Sequence, residues 1–470
     1  MKGRGFRWKS EVDPETCKGD EVKGRGFCWK YEVDAETLRS SRNPRLMPRR
    51  FKGLKMMLHF VKPSKLKTKK VFDTGLCIVR NSVISVFLVT FSTNCRFSCF
   101  QIVFEDVFPA YNLVTLEHLK ELSSKRKAIE DSINESSFIT EAIAKQMSGG
   151  LESRYEQDIQ KIEQYLPLLE NLISCAAVIS TYGGIQMAQW TVALKIRWSS
   201  SLSTSSFFNF KGSKFFQVDN LQFELGMTLF LCGGILRERA LEVLSTDLVR
   251  STTIFREAAG IYHHLAQEVL PPLQPELPPQ KPPEALAEVA TIMSLICLAE
   301  AQAVTTRKAE EKGTSSSLLA KLHHGVTLFL EEAIGIFHTV VTQYKDISPH
   351  LLEFMNFCKC LHELKGQQHL AESLKVSGQI GVAIGVLYSV LTNVKKKIPG
   401  EEPWKSLYQK QIQDSSEVLR KFVHENDFVW HEKIPSGDEL PLPEGNKIVN
   451  FITYSPKKWE RKLSLKVKLM

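Results

Sequence analysis

The stretch SLICLAEAQAVTTRKAEEKGTSSSLLAKLHHGV, residues 294–326, decides the class of fold. Its first part is apolar and brings Ala299, Ala301 and Ala303 close together, small side chains that let one helix sit near another. Its middle is a charged break. Its last part restarts with Leu318 and Leu322, four residues apart. Val326, Phe329, Ala333, Phe337 and Val341 extend that spacing into one apolar face. Nothing in the stretch has catalytic spacing. It reads as two closely packed helices that show part of an apolar face to a partner.

Working outward, the text is helical from about residue 112. Helices are expected over 115–147, 153–172, 219–244, 248–270, 285–312, 317–344, 349–366, 368–397 and 403–426. Gly149 and Gly150 supply a stop after the first, and Pro167 predicts a kink or a start in the second. Leu370, Leu374, Val382, Val386, Val390 and Val394 form a second stripe, and Ala258, Ala259 and Gly260 a second site of close approach. Residues 198–216 read as a Ser/Phe-rich loop. The seven prolines from Pro271 to Pro283 read as another loop, and the chain from Ile434 onward as extended. No confident period-two strand is present. The class is all-α, with helix hairpins stacked side by side in a tetratricopeptide-like solenoid core.

The chain has 470 residues, of which 43% are apolar and 24% charged, enough for a large core. Its net charge of +9 is unevenly placed. Residues 1–71 carry a net +12 and the remainder a net −3, so the basic character belongs to the N-terminal piece and does not argue for nucleic-acid binding by the whole chain. Within residues 1–55, KGRGFRWKSEVDPET recurs as KGRGFCWKYEVDAET with 12 of 15 positions identical. This basic, weakly apolar extension is expected to be disordered. An RNA-associated role through charge and stacking is its alternative. Residues 72–102 form an apolar insert of U-rich-codon residue types, as a retained intron would, with an amphipathic membrane insert as the alternative. The opening has no apolar signal region, and the most apolar run, VISVFLVTF at 83–91, is too short to span a bilayer. Any membrane contact is expected to be peripheral.

No phosphate loop, nucleophile elbow, HExxH or dinucleotide fingerprint occurs. The ten cysteines include no CxxC pair and read as reduced thiols. His263-His264 and His323-His324 are adjacent pairs that diverge by about 100 degrees on a helix, so neither pair chelates one metal. Glu300, in the alanine stripe, reads as a satisfied core carboxylate or a buried acid with a shifted pKa. No catalytic, cofactor or metal residue is assigned. The PxxP steps between Pro271 and Pro283 match SH3 or WW ligands in form, though a stiff inter-helix loop is the plainer reading.

Several segments resemble the Bro-one domain of Alix-type endosomal proteins. They are REAAGIYHHL with LPPL, then SLICLAEAQAV–RKA–LLAKL, then ENDFVWHEKIP–ELP. YEQDIQKIEQYLPLL and FELGMTLFLCGGILRERA fit its earlier helices. The style is similar to the short plant members of that family. The resemblance covers residues 103–455, with 56–71 as the domain's start and 456–470 as a basic tail. It implies a boomerang-shaped helical domain without enzyme activity. It also implies an apolar patch for the C-terminal amphipathic helix of an ESCRT-III subunit, at endosomes and multivesicular bodies. Carried onto this chain, the patch falls on Thr305, Leu318 and Leu322, with an acidic partner position near Asp247. Thr305 stands where the family pattern has a large aromatic residue. Residues 174–189 look irregular where the family has a simple turn. The basic segments 62–70 and 457–468 are expected to add attraction to anionic lipid.

Overall fold

The computed structural model describes residues 102–134, 153–204, 215–395 and 402–466, apart from 458 and 460. All of them fall in the larger of two compact units, Lys70–Met470. The expectations for residues 1–55, 56–71 and 72–101, and for the helix end near Gly149, lie outside the described residues.

The described residues form eleven α-helices. They are α1 Phe104–Val107, α2 Leu113–Asn134, α3 Arg154–Leu194, α4 Leu221–Val243, α5 Leu248–His264, α6 Leu270–Leu273, α7 Ala287–Glu311, α8 Ser316–Gln343, α9 Pro349–Val376, α10 Ile380–Lys395 and α11 Glu402–Glu425. Each long helix packs on the long helix before it and the one after it. That nearest-neighbour order is what a helix-hairpin solenoid requires. Polar side chains start several helices: Ser153 accepts from the Tyr155 amide, and Asn220 from those of Gln222 and Phe223. The small residues act as expected. Ala258, Ala259, Ala299 and Ala301 are buried, and Ser294 donates to the Ala259 carbonyl at 2.9 Å where α7 meets α5.

Glu300 is a satisfied core residue. Arg237 Nε donates to it at 2.7 Å, and Arg237 Nη2 to its other oxygen. Glu224 has a similar role, accepting from Arg126 Nε at 3.0 Å, Tyr165 Oη at 3.2 Å and Trp198 Nε1 at 2.7 Å. It thereby joins α2, α3, α4 and the segment before α4.

Four expectations are corrected. Helix α3 runs through Pro167 and across residues 174–189, which are helical. Proline removes one backbone hydrogen bond, but the buried Leu166, Leu168, Leu169 and Leu172 hold the helix on its neighbours. The break expected after Gly366 lies instead at Gly378, which has φ +80° and ends α9. Gly366 stays helical because it faces α8 closely: a Cβ there would lie 3.3 Å from that of His323. Two short strands, β1 Arg197–Ser199 and β2 Phe215–Gln217, pair antiparallel with Trp198 opposite Phe216. Three residues are too few to register as alternation. Finally, the proline segment opens as helix. A π-helical turn, Leu265–Val269, leads into α6, where Pro271 and Pro272 occupy the first turn and Leu270 and Leu273 are buried.

Beyond α11 the chain turns at His431, in the left-handed region, with Asn426 bonded to both the amide and the carbonyl of Glu432 at 3.0 Å. From residue 434 it stays extended apart from a single 3-10 turn, Gly437–Glu439, and crosses the helices in reverse order. This strap, with the residue before it, passes Gly381 and Gly385 of α10, then Gly325 of α8, where a Cβ would collide with the backbone carbonyls of Lys433, Pro435 and Asn446. The Asn446 amide donates to the Lys321 carbonyl at 3.1 Å, and Gln302 of α7 bonds Asn446 O at 2.8 Å and the Ile448 amide at 3.0 Å. The Ile452 amide donates to the Arg256 carbonyl of α5 at 3.0 Å. Lys457 pairs with Glu163 of α3, Arg461 with Glu121 of α2, and the Lys466 amide reaches the Pro109 carbonyl at 2.7 Å. The described residues of 456–466, read from sequence as a tail, are thus laid along the domain.

Candidate partner-binding hairpin

Helices α7 and α8 are antiparallel neighbours joined through Gly313, whose φ of +71° suits the turn. Thr305 is six residues from the end of α7, and Leu318 and Leu322 are two and six residues into α8. The hairpin therefore brings Thr305 and Leu322 to the same level along the paired helices, with Leu318 one turn closer to the connection.

The structure divides the two leucines that the spacing had joined. Leu318 is 41% exposed, whereas Leu322 is 4% exposed. Leu322 belongs to the stripe it shares with Val326, Phe329, Ala333 and Phe337, all buried. The stripe is the core face, and Leu318 stands beyond its end. Thr305 is half-buried and donates its hydroxyl to the Ala301 carbonyl at 2.9 Å. Asp247 is exposed and caps α5, its Oδ1 accepting from the Val249 and Arg250 amides at 2.9 and 3.0 Å. It has a structural task whatever else it touches.

The proline segment does not offer continuous polyproline II geometry. Pro272 and Pro275 lie in helical turns, and Pro282 and Pro283 are buried. Helices α7 and α8 have the length and hydropathy of membrane spans, but the apolar stretch of α7 is mostly buried inside the domain.

Beside the patch lies a cluster the sequence reading missed. His323 follows Leu322, and its Nε2 is 3.0 Å from Glu310 Oε1 on α7. Its Nδ1 is 3.0 Å from His362 Nδ1 on α9. His369, two turns further along α9, approaches Glu310 Oε1 with Nε2 at 3.7 Å and Glu372 Oε2 with Nδ1 at 3.1 Å. Burial lowers the His323 pKa to about 4 against the opposing pull of Glu310, and burial also holds His362 well below the usual imidazole range. Burial opposes charge on His369 as well, but its bonds to Glu310 and Glu372 outweigh that and raise it to about 9. Burial would raise Glu310, yet the two imidazoles keep it below the usual carboxylate range. One signal was available in sequence: His362 and His369 are seven residues apart and share a helix face.

The described residues define the class as an all-α helix-hairpin solenoid. The family model for the BRO1-like domain matches residues 122–467. The chain belongs to that family. A search of curated proteins finds no match. Among solved structures, one described as "ALIX BRO1 CHMP4C complex" superposes with TM-score 0.57 at 18% identity, covering 77% of this chain and 94% of the other. One described as ALIX in complex with a SIVmac239 PYKEVTEDL late domain gives 0.58 at 16% identity, over 78% of this chain and 49% of the other. A third, "Structure basis for endosomal targeting by the Bro1 domain", gives 0.55 at 13% identity, over 77% and 92%. At these identities the likeness is one of fold.

Proposed function

We propose that the protein is a non-enzymatic adaptor that docks the C-terminal amphipathic helix of an ESCRT-III subunit on the α7–α8 hairpin. It acts in multivesicular-body sorting, cytoplasmic and peripherally associated with endosomes. The observation that carries this reading is that Leu318, at a position the resemblance assigns to the family's docking patch, is 41% exposed at the start of a helix whose remaining stripe is core. Family membership supports it, as does the complex of an ALIX BRO1 domain with CHMP4C, a structure of like fold. An amphipathic helix laid in a groove reads such a site through anchors spaced by turns. The docking face consists of Leu318 and Thr305 with Asp247 as a polar edge. Leu322 supports it from below.

The basic segments 62–70 and 457–468 add attraction to anionic lipid, and within the second Lys457 and Arg461 also face Glu163 and Glu121. A pull-down of the full chain against an ESCRT-III subunit, with and without its C-terminal helix, tests the reading. Capture that depends on that helix is expected. Equal capture of both forms, or of neither, would remove the proposed site.

A further inference from the structure

We infer that Glu310, His323 and His369 form a binding site for a divalent transition metal, zinc by ligand preference. One carboxylate oxygen and one nitrogen of each imidazole lie within 4.8 Å of one another, with both Nε2 atoms turned toward Glu310. A tetrahedral ion held at about 2.0–2.2 Å needs its ligands roughly 3.4 Å apart. Glu310 Oε1 already stands 3.0 Å from one imidazole and 3.7 Å from the other. The rings of His323 and His369 stack at 5.5 Å and are nearly parallel, so closure on an ion requires His369 to rotate. His369 is the freer ring: its side chain is 20% exposed against 3% for His323.

The surroundings argue for a built site. Metal-binding histidines commonly anchor their second nitrogen on another polar group, which fixes the ring and its tautomer. Both do so here. His369 Nδ1 faces Glu372, which Gln368 and Ser316 hold at 3.1 and 3.2 Å. His323 Nδ1 faces His362 Nδ1, so a proton on His323 Nδ1 leaves its Nε2 lone pair for the metal. Three ligands from three helices leave a fourth position for water, and the part-exposed Glu310 and His369 provide the entry side. Lys365 and Arg307 are the neighbouring cations that oppose a dication. Arg307 is paired with Glu311 at 3.1 Å. Coordination needs both Nε2 atoms unprotonated, so the proton that each now directs at Glu310 leaves to solvent or is held on Nδ1 instead, and the bound ion bolts the Leu318-bearing hairpin to α9. The inference does not depend on the adaptor role.

The test is calorimetric titration of zinc into the metal-free full chain, beside Glu310→Gln, His369→Ala and Glu372→Gln, with circular dichroism to verify folding. The expected result is a zinc equivalent that the first two variants lose and that Glu372→Gln weakens by about 10- to 100-fold. Cobalt should give visible bands without the near-ultraviolet thiolate band that any of the chain's cysteines would produce. Zinc should also raise the melting temperature of the wild type but not of Glu310→Gln or His369→Ala. No zinc uptake by the wild type, uptake unchanged in both ligand variants, or a thiolate spectrum would overturn the assignment. Both variants change part-exposed side chains, and the melting shift reads the site even where one of them folds poorly.

Discussion

Leu318 and Leu322 are identical in chemistry, four residues apart on one helix, and opposite in environment. Spacing shows that two residues share a face, but not where the neighbouring helix stops covering it. That limit explains why the candidate site was only partly legible. The hairpin, its small residues and its leucines were readable from local pattern. The boundary between core and surface depends on the partner helices. The histidine cluster was hidden for a related reason, since its members come from three helices and only His362 and His369 share one. Truncating Leu322 to Ala should cost about 2–5 kcal/mol of stability, as for other buried leucines. Urea unfolding monitored by circular dichroism measures it. A change within error would mean that Leu322 lies at the surface.

At the scale of elements, helix existence was legible from periodicity, while boundaries followed contacts. Gly366 looks like a helix stop and is a contact point with α8, whereas Gly378, with its positive φ, is the stop. Pro167 looks like a kink and lies within a 41-residue helix held by buried leucines. The strap was readable as extended chain, but its path was not, because backbone groups and glycines hold it. Gly260 makes the point: a Cβ there would overlap the Ile452 carbonyl oxygen. Gly260→Ala should therefore lift the strap from α5, at a cost of about 1–3 kcal/mol. Amide exchange should accelerate at residues 448–457 while α7 and α8 stay protected. Unchanged exchange there would show that the strap is not seated against α5.

Across the whole molecule, the all-α class and the stacked order were legible because each amphipathic helix needs its neighbours to cover its apolar side. Electrostatic coupling was not, since it depends on depth. Glu238 is buried beside the Arg237–Glu300 pair. Burial raises its pKa to about 7, Arg237 opposes the shift and Glu300 adds to it. A carboxyl with a raised folded-state pKa contributes stability below its unfolded value near 4.5, and that contribution is lost as pH rises through about 7. The wild type should lose roughly 3 kcal/mol across that window relative to Glu238→Gln. Parallel pH dependence in the two proteins would place Glu238 in water.

The measurement to make first is a fluorescence-polarisation titration of the full chain with the C-terminal helix peptide of an ESCRT-III subunit, beside Leu318→Asp and Thr305→Phe. Leu318→Asp should fold and melt like the wild type and bind at least about tenfold more weakly. Thr305→Phe places at this position the large aromatic residue that the resemblance implies and should bind more tightly. If Leu318→Asp binds the peptide as well as the wild type does, the α7–α8 hairpin is not the docking face.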